Sequence, residues 1–366
     1  LLAPISGLFG RAAWATLVAG VVVQALTVVA IASVAWRAGR LALVTAALAF
    51  TALAYGAMGP SMVLDAWNPN FAFPIFVLFV LLAWTLARGD RPLLVPLAVV
   101  AGVLVQAHVG YLPLVAVTGG IAIASGLRHD RAHLATWRWS AWFAFLAVLI
   151  VWVPPIVHEF VYPSNVRPLA GSLVDPDEAT LGFGTAARIL AEEFRVPPPW
   201  LGGEHRLEPF AKLVVGESRW WLVLPGVLLA AAWAATRRRR AEGSAELLLI
   251  ATALAVTGLV AIARVLGDPE RYVFYWRVPI ALLVVFASGW SIWNGLRLDH
   301  SAVARRLALS TFAVVIAFGS VAGSVRVAQV DDVNEGQALT IDALEAIGNP
   351  HDIVLVREAG IPFMGL

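Results

Sequence analysis

Long uncharged apolar runs recur along this 366-residue chain, and they limit its possible folds more than any other feature. A run of about 18 or more apolar residues exceeds what a soluble core helix needs, and at 1.5 Å per residue it spans a hydrocarbon layer. Ten apolar segments are legible, at 12–35, 41–58, 71–87, 93–107, 111–127, 141–157, 220–236, 246–266, 276–296 and 307–330. Inside lipid each backbone N–H and C=O must be satisfied within its own segment, so the segments are expected to be helices. Charged residues make up only 14% of the chain, whereas a soluble domain carries about 25%. The expected fold class is an all-α polytopic membrane protein with ten transmembrane helices.

Arginine sets the expected topology. The turns 36–40, 87–92, 126–139, 237–240 and 297–306 hold 2, 2, 3, 4 and 3 arginines. The alternate turns 59–70 and 106–112 hold none, and 264–277 holds Arg264, Arg271 and Arg277. Excess Lys and Arg in short loops marks the cytoplasmic side, which puts the first set inside and the second outside. This alternation requires a hairpin at "QAHVGYLP" rather than one long helix over 93–127, and Gly110 and Pro113 suit the bend. The formal charge of +2 comes from these anchoring turns and gives no reason to expect a nucleic-acid partner. The single lysine, Lys212, beside abundant Arg, Ala and Val, suits a high-GC bacterial genome. No cysteine is present, so disulfides and thiolate chemistry are excluded.

Two domains are expected, a membrane domain over 1–330 and the start of an external α/β domain over 331–366. The external loop 158–219 contains "GTAARILAEEFR", which sets Ala186, Ile189, Leu190 and Phe194 at helical spacing opposite Arg188, Glu192 and Glu193. That pattern predicts a helix lying in the membrane interface, ended by "VPPPW". The chain opens "LLAPISGLFG", without an initiator Met, a charged leader or a cleavage site, which predicts a piece of a longer protein.

Polar chemistry collects on the expected outer face. In "DAWNPN", Asn68 and Pro69 start a turn and Trp67 suits an interface belt, which explains the stretch without a function. Asp65 is not explained that way, because a carboxylate at bilayer level usually lines a cavity or relay. Gln106, His108 and Tyr111 put three hydrogen-bonding groups around one bend, either to bind something or to hold the turn. His158 and Glu159 are adjacent, which is not a metal-ligand spacing on a helix, and no HExxH pattern occurs. Arg271, Tyr275 and Arg277 lead into an apolar helix from the side where arginines are otherwise scarce. A phosphate partner would account for them, since guanidinium matches its oxygens. An ion pair with Asp268, Glu270 or an outer-loop carboxylate would do so equally.

In this order, the "WNP" turn followed by a helix, the "QAHVGYLP" hairpin and the "YVFYWR" helix start resemble bacterial membrane glycosyltransferases of the GT-C superfamily. The resemblance is closest to the actinobacterial branch that uses polyprenyl-phosphate sugars, related to protein mannosyltransferases and the lipid A aminoarabinose transferase. It covers most of the chain on short motifs. It implies a plasma-membrane enzyme that passes a sugar from a polyprenyl-phosphate donor to a glycan, lipid or protein acceptor outside, sometimes with a divalent metal ion. In that family the catalytic acid follows the first transmembrane helix. The motif order here implies that this acid lies upstream of Leu1, so no catalytic identity passes to Asp65, which is a candidate for acceptor or metal contact. A lipid-linked sugar transporter or flippase is the competing expectation, yet Gln24, Thr51 and Thr257 are almost the only mid-span polar residues. A non-catalytic membrane scaffold or sensor is the third.

Overall fold

The computed structural model describes residues 13–59, 68–161, 179–202, 213, 215–239 and 243–296, with isolated positions at 171 and between 302 and 314. Among them are nine helices of more than ten residues: α1 (Ala13–Met58), α2 (Asn68–Ala87), α3 (Leu94–Ala107), α4 (Leu112–His129), α5 (Leu134–Val161), α6 (Gly182–Glu192), α7 (Val223–Arg239), α8 (Ser244–Ala263) and α9 (Arg277–Gly295). No strand occurs among the described residues, only an isolated bridge between Thr180 and Leu266. Seven of these helices are long and apolar enough to cross a membrane, and the 91–107 stretch is apolar but shorter. The chain is therefore a helical protein of multi-pass membrane type. The expected span 307–330, apart from isolated helical positions, and the tail 331–366 lie outside the described residues.

Helix α1 is two arms joined at a break. Gly39 and Arg40 leave helical geometry, with Arg40 at φ 56°. A Cβ on Gly39 would sit 2.7 Å from Leu43 Cβ, so the close approach needs glycine. Arg40 instead occupies a region that side-chain-bearing residues disfavour, at a cost of about 1–3 kcal/mol. Its guanidinium lies over the Trp36 ring, 5.6 Å from the centroid, which offsets part of that cost. The break lets the second arm turn back within the bilayer thickness.

Helix α2 is the centre. It packs against α1, α3, α4, α8 and α9. Its Phe71, Phe73, Phe76 and Phe79 are almost wholly buried. A helix apolar on every side belongs in the interior, and α2 is there. Pro69 takes the first turn of α2, where its missing N–H costs nothing.

The hairpin is present. Helix α3 ends at Ala107, a short 3₁₀ turn covers Val109–Tyr111, and α4 begins with Pro113 in its first turn. Helix α5 continues through Pro154 and Pro155 to Val161, further than the expected stop before His158. The two prolines remove N–H groups, and one freed carbonyl is recovered from outside the helix. Pro155 cannot donate to Val151, and the Gln106 side-chain amide donates to that Val151 carbonyl at 3.1 Å.

Alternate turns meet at opposite ends of the bundle. At one end Arg37 pairs with Asp90 at 2.5 and 2.8 Å, Arg91 with Asp130 at 3.0 Å, and His129 with Glu246 at 3.5 Å. There the Trp84 indole also donates to the Gly243 carbonyl at 2.7 Å. A hydrogen bond from His133, then Arg91, holds the Asp130 carboxyl below its ordinary range. The other end gathers the 108–111 turn, α6, the 199–202 turn and the start of α9. The expected interfacial helix needs correction here. Helix α6 carries Ala186, Ile189 and Leu190 into the protein, against α8, rather than into lipid. Backbone bonds from Leu181 to Val265 (2.9 Å) and Gly267 to Ala179 (3.2 Å) fasten it.

Candidate functional site

The most polar chemistry at this second end surrounds the start of α9. Leu213 donates its N–H to the Pro269 carbonyl at 2.6 Å, and Arg271–Phe274 form a 3₁₀ turn before Tyr275 and Trp276 lead into α9 at Arg277. The helix start matches the expected apolar segment 276–296. Arg271 and Tyr275 point to the same space.

That space is a cavity of about 330 Å³ lined by Arg195, Arg271, Arg277, Tyr275 and Glu192, with Met58, Pro199, Phe274 and Val278 among its apolar walls. Three guanidinium groups and the Glu192 carboxylate line it, and Glu193 stands behind Arg277, so arginines outnumber acids three to two. Its volume falls in the range of small-molecule sites, roughly 300–1,000 Å³.

Arg277 is 6% exposed, and its partner Glu193 is wholly buried. The Arg277 Nε donates to Glu193 Oε1. Burying two charges is tolerated only when they are paired. The pairing locks the end of α6 to the start of α9. The Trp200 indole adds a bond to the Glu193 carbonyl at 2.9 Å, which brings in the 199–202 turn. On the cavity side, Arg195 pairs with Glu192 at 2.7 Å.

The sequence-derived candidates separate into three groups. Arg271, Tyr275 and Arg277 come together in the cavity. For Arg277 the ion-pair reading holds, with Glu193 of the 158–219 loop as partner. His108 stands beside this group, its ring edge-on to Tyr272 at 5.9 Å. Its Nδ1 accepts the Gly110 N–H at 3.0 Å, which caps the hairpin turn. Burial pushes the imidazole down to about 4, so the ring stays neutral and can accept that bond. Gln106 and Tyr111 do not join the cavity. Gln106 ties α3 to α5, and Tyr111 is buried against Phe76 with ring centroids 5.2 Å apart. Glu159 lies in the last turn of α5, away from the cavity lining. Asp65, Trp67 and the side chains of Asn68 and His158 lie outside the described residues.

Sequence reasoning missed Glu192, Glu193 and Arg195 as site residues. The expected amphipathic face put Glu193 in water, whereas the structure buries it fully. The available signal was the run "EEFR" on the same expected side as the unexplained arginines. Among the described residues no group of three or more His, Asp or Glu could hold a metal ion. Both carboxylates at the cavity are committed to guanidinium groups, so these residues do not fit a divalent cation. No family model matches the chain, and neither a curated protein nor a solved structure shows similarity to it.

Proposed function

We propose that this chain is the membrane domain of a GT-C-type glycosyltransferase that takes a sugar from a polyprenyl-phosphate carrier to an acceptor at the outer face of a bacterial plasma membrane. The observation that carries the reading is the cationic cavity of Arg195, Arg271, Arg277 and Tyr275 at the membrane-helix ends. A leaving phosphate needs positive charge placed in advance, and guanidinium forks supply it with little reorganisation. Arg271 and Arg195 take the phosphate oxygens, and Tyr275 adds a hydroxyl donor. Arg277, held by Glu193, gives a fixed charge at the helix start, where the helix dipole also favours an anion.

An apolar cleft lies further down the same pair of helices. Leu43, Ala47 and Phe50 of the second α1 arm face Pro279, Leu283 and Phe286 of α9 across it. Met58 to Phe50 and Val278 to Phe286 are each eight residues, roughly 12 Å along a helix. The cleft is narrow, about 50 Å³, and would take only the first stretch of a lipid tail whose phosphate lies in the charged cavity. Two of the mid-span polar groups are used within the protein, since Tyr55 donates to Gln24 at 2.7 Å and Thr51 to the Ala47 carbonyl at 2.8 Å, which favours transfer over transport. The positive-inside trend puts the arginine-rich end in the cytosol and the cavity outside.

A photoreactive polyprenyl phosphate and the matching polyprenol test the reading on purified protein. The phosphate should label wild type far more than the alcohol does. Arg271→Gln should weaken labelling by the phosphate roughly ten- to hundredfold, the range for a hydrogen bond to a charged group. Equal labelling by carrier and alcohol would overturn the proposal. Carrier that binds and crosses the bilayer, with no sugar transferred by the full-length protein, would select the transporter instead.

A further inference from the structure

The arginine-rich end carries a second head-and-tail arrangement, independent of the cavity above. Between α3, α4 and α5 runs a groove of about 730 Å³, lined by Leu94, Ala98, Leu127, Trp137, Ala144 and Phe145 among others, with Arg138 on its wall. A polar pocket of about 420 Å³, lined by Arg88, Arg91, His129, Asp130 and His133, is formed by the turn after α2 and the ends of the same three helices. The two sites follow one another along the chain. Arg91 and Pro92 precede Leu94 and Ala98, His129 and Asp130 follow Leu127, and His133 precedes Leu134.

The charge at this mouth is not used up within the protein. Asp130 is engaged by Arg91 at 3.0 Å and His133 at 2.5 Å, and Glu246 by His129 at 3.5 Å. Arg128, Arg131 and Arg138 have no ion-pair partner among the described residues, and the buried Arg88 Nε has no acceptor among them. Trp137 supplies an independent observation. It lines the groove at only 4% exposed, yet its indole N–H is buried without an acceptor among the described residues. A buried donor in an apolar wall is costly unless something accepts from it.

We propose that this groove holds one phospholipid with an anionic headgroup: acyl chain against the α3–α4–α5 walls, an ester carbonyl on the Trp137 N–H, and phosphate between Arg88 of the polar pocket and Arg138 of the groove, with Arg131 adding charge from the turn between α4 and α5. Basic pockets between membrane helices select anionic lipids in this way, and lipid esters lie just below the headgroup at indole depth. Helix α5 turns nearly all of its apolar surface outward, so lipid reaches the groove directly.

Native mass spectrometry of the purified protein with equal phosphatidylglycerol and phosphatidylcholine tests this. Wild type should retain phosphatidylglycerol in preference. Arg131→Gln with Arg138→Gln should lower that retention about fivefold for each cation removed. Ala98→Phe fills the groove without touching charge and should lower retention of both lipids. Equal retention of the two lipids by wild type would overturn the proposal. So would unchanged retention in both variants, or a dimer that buries α5 and holds no lipid.

Discussion

Arg277 and Glu193 show how a single pair decides which residues can be probed. Both are buried, so removing either takes the partner from a buried charge, at about 3–5 kcal/mol. Arg277→Ala should therefore lower the thermal midpoint in detergent, and Arg277→Ala with Glu193→Ala should recover much of the loss. Arg271→Ala should change the midpoint less, because Arg271 is only half-buried at the cavity. Thermal unfolding of the four proteins checks this, and equal destabilisation by Arg271→Ala and Arg277→Ala would contradict it. Loss of function in Arg277→Ala alone would thus report on folding as much as on ligand binding.

At the scale of elements, the joint between α3 and α5 rests on Gln106. Two consecutive prolines take donors away from α5, and the Gln106 amide reaches the carbonyl that Pro155 leaves open. Gln106→Leu keeps the size but removes the donor, and should destabilise the protein by about 1–2 kcal/mol. If the Gln106 bond satisfies the proline-freed carbonyl, restoring a backbone donor with Pro155→Ala should make the Gln106→Leu change nearly silent. A double-mutant cycle in detergent measures that coupling, and additive effects would refute the account. Helix α6 is the other element whose setting matters. Its amphipathic pattern was legible, but its apolar face meets α8 and the residue that caps its end, Glu193, pairs with α9.

For the whole molecule, the two ends differ in kind. One is laced by Arg37–Asp90, Arg91–Asp130 and His129–Glu246, the other holds the cavity and the α6–α9 pair. The absence of cysteine makes their sidedness directly measurable. Under the proposed topology, Ser218→Cys should react with an impermeant maleimide in intact cells, and Ala132→Cys only after permeabilisation. Labelling of both from one side would end the topology on which the proposed function rests.

The sequence by itself determined the helical class, most helix positions, the hairpin at 108–111 and the division of turns into two sets. These depend on local composition and spacing, because lipid forces each apolar run to satisfy its own backbone. Only the tertiary structure decided which helix is central. Helices α2 and α5 are equally apolar, yet 94% of the one window is buried and 6% of the other. Lipid is as apolar as a protein core, so hydrophobicity cannot tell the two surroundings apart. The partner of Arg277 lies 84 residues away, and the Gln106 acceptor lies 45 residues away. Such pairs depend on how helices pack, which no local pattern encodes.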